Sequence, residues 1–252
     1  MLHFSYEAYR QLVHLLQEHN YNITDYYHYK EVEKPCILRH DIDYSPERSF
    51  QFAKVEEKLD VRSTYFVLLT CDFYNMFYSK NRAILREMAA MGHTIGLHFD
   101  EVTYFDSATA GPALPPEEHA EYLIGLIKTE AETLSNALDL KINTVSMHRP
   151  SKFCLESDLK IPGIINSYGQ EFFKGFKYLS DSRRRWREDV LGYVSEEKFE
   201  KLHILTHAFW YYETEMNLKD TLTSYLDEAR ADRYEMLNRN FTSLDNALAG
   251  KE

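Results

Sequence analysis

Ile37-Leu38-Arg39-His40-Asp41-Ile42-Asp43 is an apolar run closed by ionisable side chains just ahead of a helix start. Read as a strand, it alternates its side chains, so Asp41 and Asp43 share one face while His40 and Ile42 share the other. Two carboxylates about 7 Å apart at a strand end can share a divalent cation, or one can bind it while the other moves protons. Three downstream runs have the same character: Gly92-His93-Thr94-Ile95-Gly96-Leu97-His98-Phe99-Asp100, Met147-His148-Arg149-Pro150 and Ile204-Leu205-Thr206-His207. Each closes on His, Asp or Arg. Together they point to a hydrolytic metal site.

The elements between these runs set the architecture. Ser45-Pro46-Glu47 is a helix start, with Ser as cap, Pro in the first turn and Glu at the positive end of the dipole. A first helix is predicted from Ser5 to His19, followed by a tyrosine-rich connector over residues 21–29 without a period. Further strands are predicted from Pro35, over 61–70, 94–99, 142–148, 176–180 and 202–207. Ile84, Leu85, Met88 and Met91 mark a helix stopped by Gly92, and Leu123, Ile127, Leu134 and Leu138 lie along a long amphipathic one. Residues 110–116 read as a loop, and the last forty as polar helix. Strands alternating with helices imply βαβ units and a mostly parallel sheet, with the chemical residues at the C-terminal strand ends.

Composition bounds the function. The chain has 252 residues, enough for one large α/β domain, and its net charge of −11 argues against nucleic acid or an anionic membrane as principal partner. No apolar run approaches the ~20 residues of a membrane span, and the N-terminus has no signal-peptide pattern, so a cytoplasmic location is expected. Cys36, Cys71 and Cys154 are too scattered for a disulfide framework or a cysteine zinc site. The 19 tyrosines are too many to form a motif; some are expected to line a sugar cleft. Arg183, Arg184, Arg185 and Arg187 are the one basic cluster, either a solvated loop or a hold for a substrate phosphate or carboxylate.

In order and content, these runs resemble the polysaccharide deacetylases of carbohydrate esterase family 4, the NodB-like group. The resemblance covers residues 37–210 and rests on five signatures: Asp41 and Asp43, Gly92 to His98, Arg149-Pro150, Ser180-Asp181 with Trp186, and Leu205-Thr206-His207. It implies an α/β fold, a distorted (β/α) barrel with extra N- and C-terminal helices, as one domain over residues 1–252 with the signatures within about 35–210. It also implies a metal-dependent hydrolase removing an acetyl group from an amino sugar or a surface-glycan precursor, with a divalent ion, zinc first. By that resemblance Asp43 and His98 bind the metal, Asp41 is the general base, and Arg149 orients it. His207 is the general acid, tuned by Asp181, while Leu205 and Trp186 contact the substrate.

One departure matters. The family's second metal histidine falls on Val102, which cannot bind. His148 is the expected replacement, with Asp100 and Glu101 as oxygen alternatives. Alternation speaks against His148 and Arg149 sharing a face unless the strand has ended. His93 is expected to be structural, and His40 to face away from the two aspartates. Two other functions stay open: a C–N hydrolase acting on a non-sugar amide, and a catalytically silent carbohydrate-binding domain. The sugar and the oligomeric state are not legible.

Overall fold

A computed structural model describes residues 2–104 and 115–250 of the chain. These fall into two compact units, Met1–Glu213 and Thr214–Glu252. The first contains every strand among the described residues. Its elements are α1 (Tyr6–Glu18), β1 (Asn22–Thr24), β2 (Pro35–Ile42), α2 (Pro46–Lys58), β3 (Thr64–Leu68), α3 (Ser79–Ala90), β4 (Thr94–Phe99), α4 (Pro116–Leu138), β5 (Thr144–Met147), α5 (Lys152–Glu156), β6 (Ile165–Asn166), α6 (Gln170–Phe173), β7 (Lys177–Ser180), α7 (Val190–Ser195) and β8 (Leu202–Thr206). The second unit holds α8 (Leu218–Asn238) and α9 (Leu244–Leu248). No helix among the described residues is long and apolar enough to cross a membrane.

All pairings between these strands are parallel, in the spatial order β6-β5-β4-β3-β2-β8-β7. Read as a ring, this is chain order: β2 through β6 follow one another, then β7 and β8, and β8 pairs back onto β2. The sheet is therefore a (β/α) barrel with one seam, between β6 and β7, where no ladder runs among the described residues. Aromatic rings bridge that seam: Tyr178 on β7 lies 5.2 Å from Phe173 and 6.5 Å from Tyr168. Curvature shows in the side chains too. Arg39 of β2 reaches Ser146 of β5 at 2.6 Å, although three strand spacings span about 14 Å on a flat sheet. Outside, α1 packs on α2 and α7, α2 on α3, and α3 on α4.

Ser45 caps α2 as the sequence predicts, accepting the Arg48 N–H, and Pro46 opens that helix. Ser5, read as the first residue of α1, is instead its cap and accepts the Ala8 N–H. Gly92 ends the α3 segment at φ +95°, a conformation L residues rarely adopt. Gly96 is required for space, since a Cβ there would come within 2.6 Å of the Phe66 ring inside the barrel. The loop expected over 110–116 lies outside the described residues at 110–114, while Pro115 and Pro116 begin α4. β1 falls within the connector read as structureless. It pairs with the first half of β2, on the edge that β3 takes over from Arg39 onward.

Candidate metal centre and active site

Register sorts the side chains. Asp41 is opposite Phe66, Phe66 opposite Gly96, His98 opposite Ser146, and Arg39 opposite Leu205. Parallel partners share a face, so Arg39, Asp41, Phe66, Gly96, His98, Ser146 and Leu205 all look into the barrel. The next residues of the same parity, Asp43, His148 and His207, stand just past the strand ends and continue that interior face to its mouth.

Three donors converge there. His98 Nε2 lies 3.4 Å from Asp43 Oδ1, His148 Nδ1 lies 3.2 Å from His98 Nε2, and His148 Nδ1 lies 3.6 Å from Asp43 Oδ1. They form the Asp-His-His group able to hold a metal ion. Zinc bonds of 2.0–2.2 Å at tetrahedral angles require donors roughly 3.3–3.4 Å apart, which this triangle matches, leaving a fourth position open. Magnesium at 2.0–2.1 Å in an octahedron would draw them to about 2.9 Å. Calcium's longer bonds match the spacing but call for oxygen donors, and two of these are imidazoles. Asp43 Oδ1 is buried without a hydrogen-bond partner, as a ligand atom would be before its ion arrives. The residues fit a zinc-like ion.

The loops hold these donors in place. His148 N–H donates to Phe99 O at 2.8 Å, tying the end of β5 to β4. Tyr74, which the sequence gave no reason to single out, donates to Ile42 O at 2.8 Å and accepts from Leu68 N–H at 3.0 Å, clamping the β2 and β3 ends. The Cys71 thiol donates to Asp43 O.

Asp41 lies beside the triangle, 4% exposed, with Oδ2 3.5 Å from His98 Nε2. Burial alone would raise its carboxyl; Arg39, His98 and His207 outweigh burial and hold it below the usual range. Asp43 is likewise lowered against its burial by His98 and His207. On the other side His207 points Nε2 at Asp43 Oδ2, 3.5 Å away, while its Nδ1 lies 2.6 Å from Asp181 Oδ1. The His207 N–H also donates to both Asp181 oxygens. Burial lowers the imidazole, but the fully buried Asp181, with Asp43 and Asp41, reverses this and pushes it up to about 9. His148 goes the other way, lowered by burial and by His98.

Two expected roles meet a different geometry. Arg149 does not reach Asp41. Strand β5 ends at Met147, so Arg149 turns aside and pairs through Nε and Nη2 with Asp100, its own side chain 55% exposed. The guanidinium on Asp41 is that of Arg39, two residues earlier on the same face of β2. Trp186 is 1% exposed and has no surface to offer a substrate. It is buried near Tyr211, behind Asp181. Asp100 and Glu101 are both occupied elsewhere: Asp100 by Arg149, and Glu101 by the Ser151 N–H and the Cys154 thiol. Neither belongs to the donor group. His40 and His93 face outward from the barrel, toward the buried carboxylate of Glu56. Arg183, Arg185 and Arg187 are exposed on the turn after Asp181.

No family model and no curated protein matches the chain. Solved structures do. A family 4 carbohydrate esterase from Bacillus anthracis is 16% identical, with 88% of this chain and 86% of that one covered and a TM-score of 0.42. IcaB from Ammonifex degensii is 20% identical over 59% of this chain and 69% of its own, at TM-score 0.41. A family 4 pseudoenzyme from Bacillus anthracis is 12% identical over 79% and 62%, at TM-score 0.40. Family 4 carbohydrate esterases and a peptidoglycan deacetylase are among the solved structures that the chain is similar to.

Proposed function

We propose that this chain is a metal-dependent deacetylase that removes an acetyl group from an amino sugar or a surface-polysaccharide precursor. The observation that carries the reading is the open donor triangle of Asp43, His98 and His148, with the Asp41 carboxylate held by Arg39 on one side and the His207 imidazole backed by Asp181 on the other. Asp43, His98 and His148 would hold a zinc-like ion, which would supply Lewis-acid polarisation of the acyl carbonyl.

The rest of the chemistry belongs to the chain. Asp41, kept ionised by Arg39, accepts a proton from the attacking water as that water adds to the carbonyl carbon. His207, kept charged by Asp181, gives its Nε2 proton to the leaving amine or alcohol as the acyl bond breaks. One acid and one base with pKa values pushed apart by their surroundings is the division of labour that hydrolysis at neutral pH requires. Leu205, on the interior face opposite Arg39, is as buried as Trp186 and packs beneath the site rather than offering the acetyl methyl a surface.

Metal analysis of the purified chain, followed by a screen of acetylated sugars against linear and cyclic amides, tests the proposal. About one zinc-like ion per chain and release of acetate from a sugar are expected. Metal without acetate release, but with turnover of a non-sugar amide, would replace the substrate class. Metal with no turnover of any kind would leave a silent binding domain.

A further inference from the structure

We infer that Arg39 is the positioning residue for Asp41, holding its carboxylate in place against the metal-binding triangle. This builds on the hydrolase reading above.

Arg39 is completely buried inside the barrel. Its Nη2 donates to Asp41 Oδ2 at 2.7 Å and to Ser146 Oγ at 2.6 Å, and its Nη1 donates to Ser167 Oγ at 3.1 Å. Two rings lie near the guanidinium, Phe66 at 5.2 Å and Tyr168 at 5.3 Å. Hydrogen bonds within β2, to β5 and to Ser167 just after β6, with these rings, fix a planar fork in one orientation, which a lysine ammonium could not copy. The fork is committed asymmetrically. It occupies Asp41 Oδ2 alone, while Asp41 Oδ1 is buried with no hydrogen-bond partner.

A purely structural ion pair does not account for this. A buried pair returns its desolvation cost only when the remaining lone pairs are satisfied, and here an oxygen is left bare. The oxygen that the fork holds, Oδ2, is also the one 3.5 Å from His98 Nε2, so Arg39 sets where the Asp41 carboxylate stands against the metal-binding triangle. Arg39 thereby holds the base from within the strand, and Arg149 is left to pair with Asp100 at the rim.

The test uses the full chain loaded with zinc, assayed on N,N′-diacetylchitobiose and para-nitrophenyl acetate. Arg39→Lys keeps the charge but loses the fork, and should lower kcat by about 10²-fold, the cost of misplacing a reacting group. KM should stay within about twofold and zinc near one per chain, since neither substrate binding nor a ligand is touched. Ser146→Ala removes one hydrogen bond to the fork without a buried charge change, so it reports even if Arg39→Lys folds poorly. It should lower kcat by roughly fivefold, again with KM and zinc unchanged. The loss in Arg39→Lys should exceed that in Arg149→Lys. Unchanged kcat in both Arg39→Lys and Ser146→Ala overturns the inference while the deacetylase reading survives. Loss of zinc in parallel with kcat also overturns it, because Arg39 would then be holding the metal site. A zinc-loaded wild-type chain that hydrolyses neither probe removes the reading, and this inference with it.

Discussion

His148 shows how much one residue decides. With Val102 in place of a histidine, the third ligand has to come from elsewhere. The 3.2 Å and 3.6 Å separations from His98 and Asp43 put His148 Nδ1 in that position, while Asp100 is engaged by Arg149. His148→Ala should therefore lower zinc affinity about 10²-fold or more, and Asp100→Ala far less, as read by competition with a chromogenic chelator. The reverse ranking would move the ligand to the loop after β4. Asp181 governs the other side of the site. His207 is lifted from an ordinary 6.5 to about 9 against its own burial, chiefly by Asp181. A general acid works while it holds its proton, so the basic limb of the kcat profile follows this imidazole. In Asp181→Asn the support is gone and burial wins, so that limb should move to lower pH, and kcat should fall more at pH 8 than at pH 6. A basic limb that stays in place would take His207 out of the acid role.

At the scale of elements, legibility followed length and period. β2, β3, β4 and β8 carry strong apolar or alternating signals and lie where the sequence predicts them, and α1 and α2 begin at their serine caps. β1 and β6 have three and two residues, too few to show a period, and exist because β2 and β5 offer them an edge. The short helices α5, α6 and α7, of five, four and six residues, are likewise too brief to show a period. Parity in β2 was enough to place Asp41 and Asp43 on one face and His40 on the other. The same parity places Arg39 beside Asp41, a signal present in the sequence once the strand is recognised. The partners of Arg149 and the burial of Trp186 depend on loop paths that no local pattern encodes. Gly96 offers a test at this scale. A Cβ there meets the Phe66 ring at 2.6 Å and Thr144 Oγ1 at 2.7 Å, with β4 between two neighbouring strands and unable to retreat. Gly96→Ala should cost about 1–3 kcal/mol in urea unfolding. A neutral result would mean that the Phe66 ring can swing aside within the barrel.

Two buried carboxylates give the barrel unit opposite responses to pH as a whole. Glu56 on α2 accepts hydrogen bonds from Tyr9, Ser63 and Tyr65 and faces His40 at 2.9 Å, so it joins α1, α2, β2 and β3 behind the sheet. Burial raises it, but His40 first and then His93 and Tyr65 hold it down to about 2 against an ordinary 4.5. A depressed acid contributes stability that is present above its unfolded pKa and lost as pH falls from about 4.5 toward 2. Glu130 on α4 does the reverse. It takes a hydrogen bond from Tyr104 on Oε1, but Oε2 is buried without a partner, and burial lifts it to about 7. The folded state then holds a proton that the unfolded chain releases, so stability falls as pH rises from about 4.5 to 7, by about 3 kcal/mol at 1.36 kcal/mol per unit. Glu130→Gln has no proton to lose. Followed by urea unfolding of the metal-free chain, its stability relative to wild type should climb between pH 4.5 and 7 and level off above 8. Loss of the Tyr104 contact geometry adds only a constant offset, so the slope carries the answer. A difference that stays flat across that window would show that Glu130 titrates as an ordinary surface carboxylate does, and that the interior beneath the β4 loop is wetter than its packing suggests.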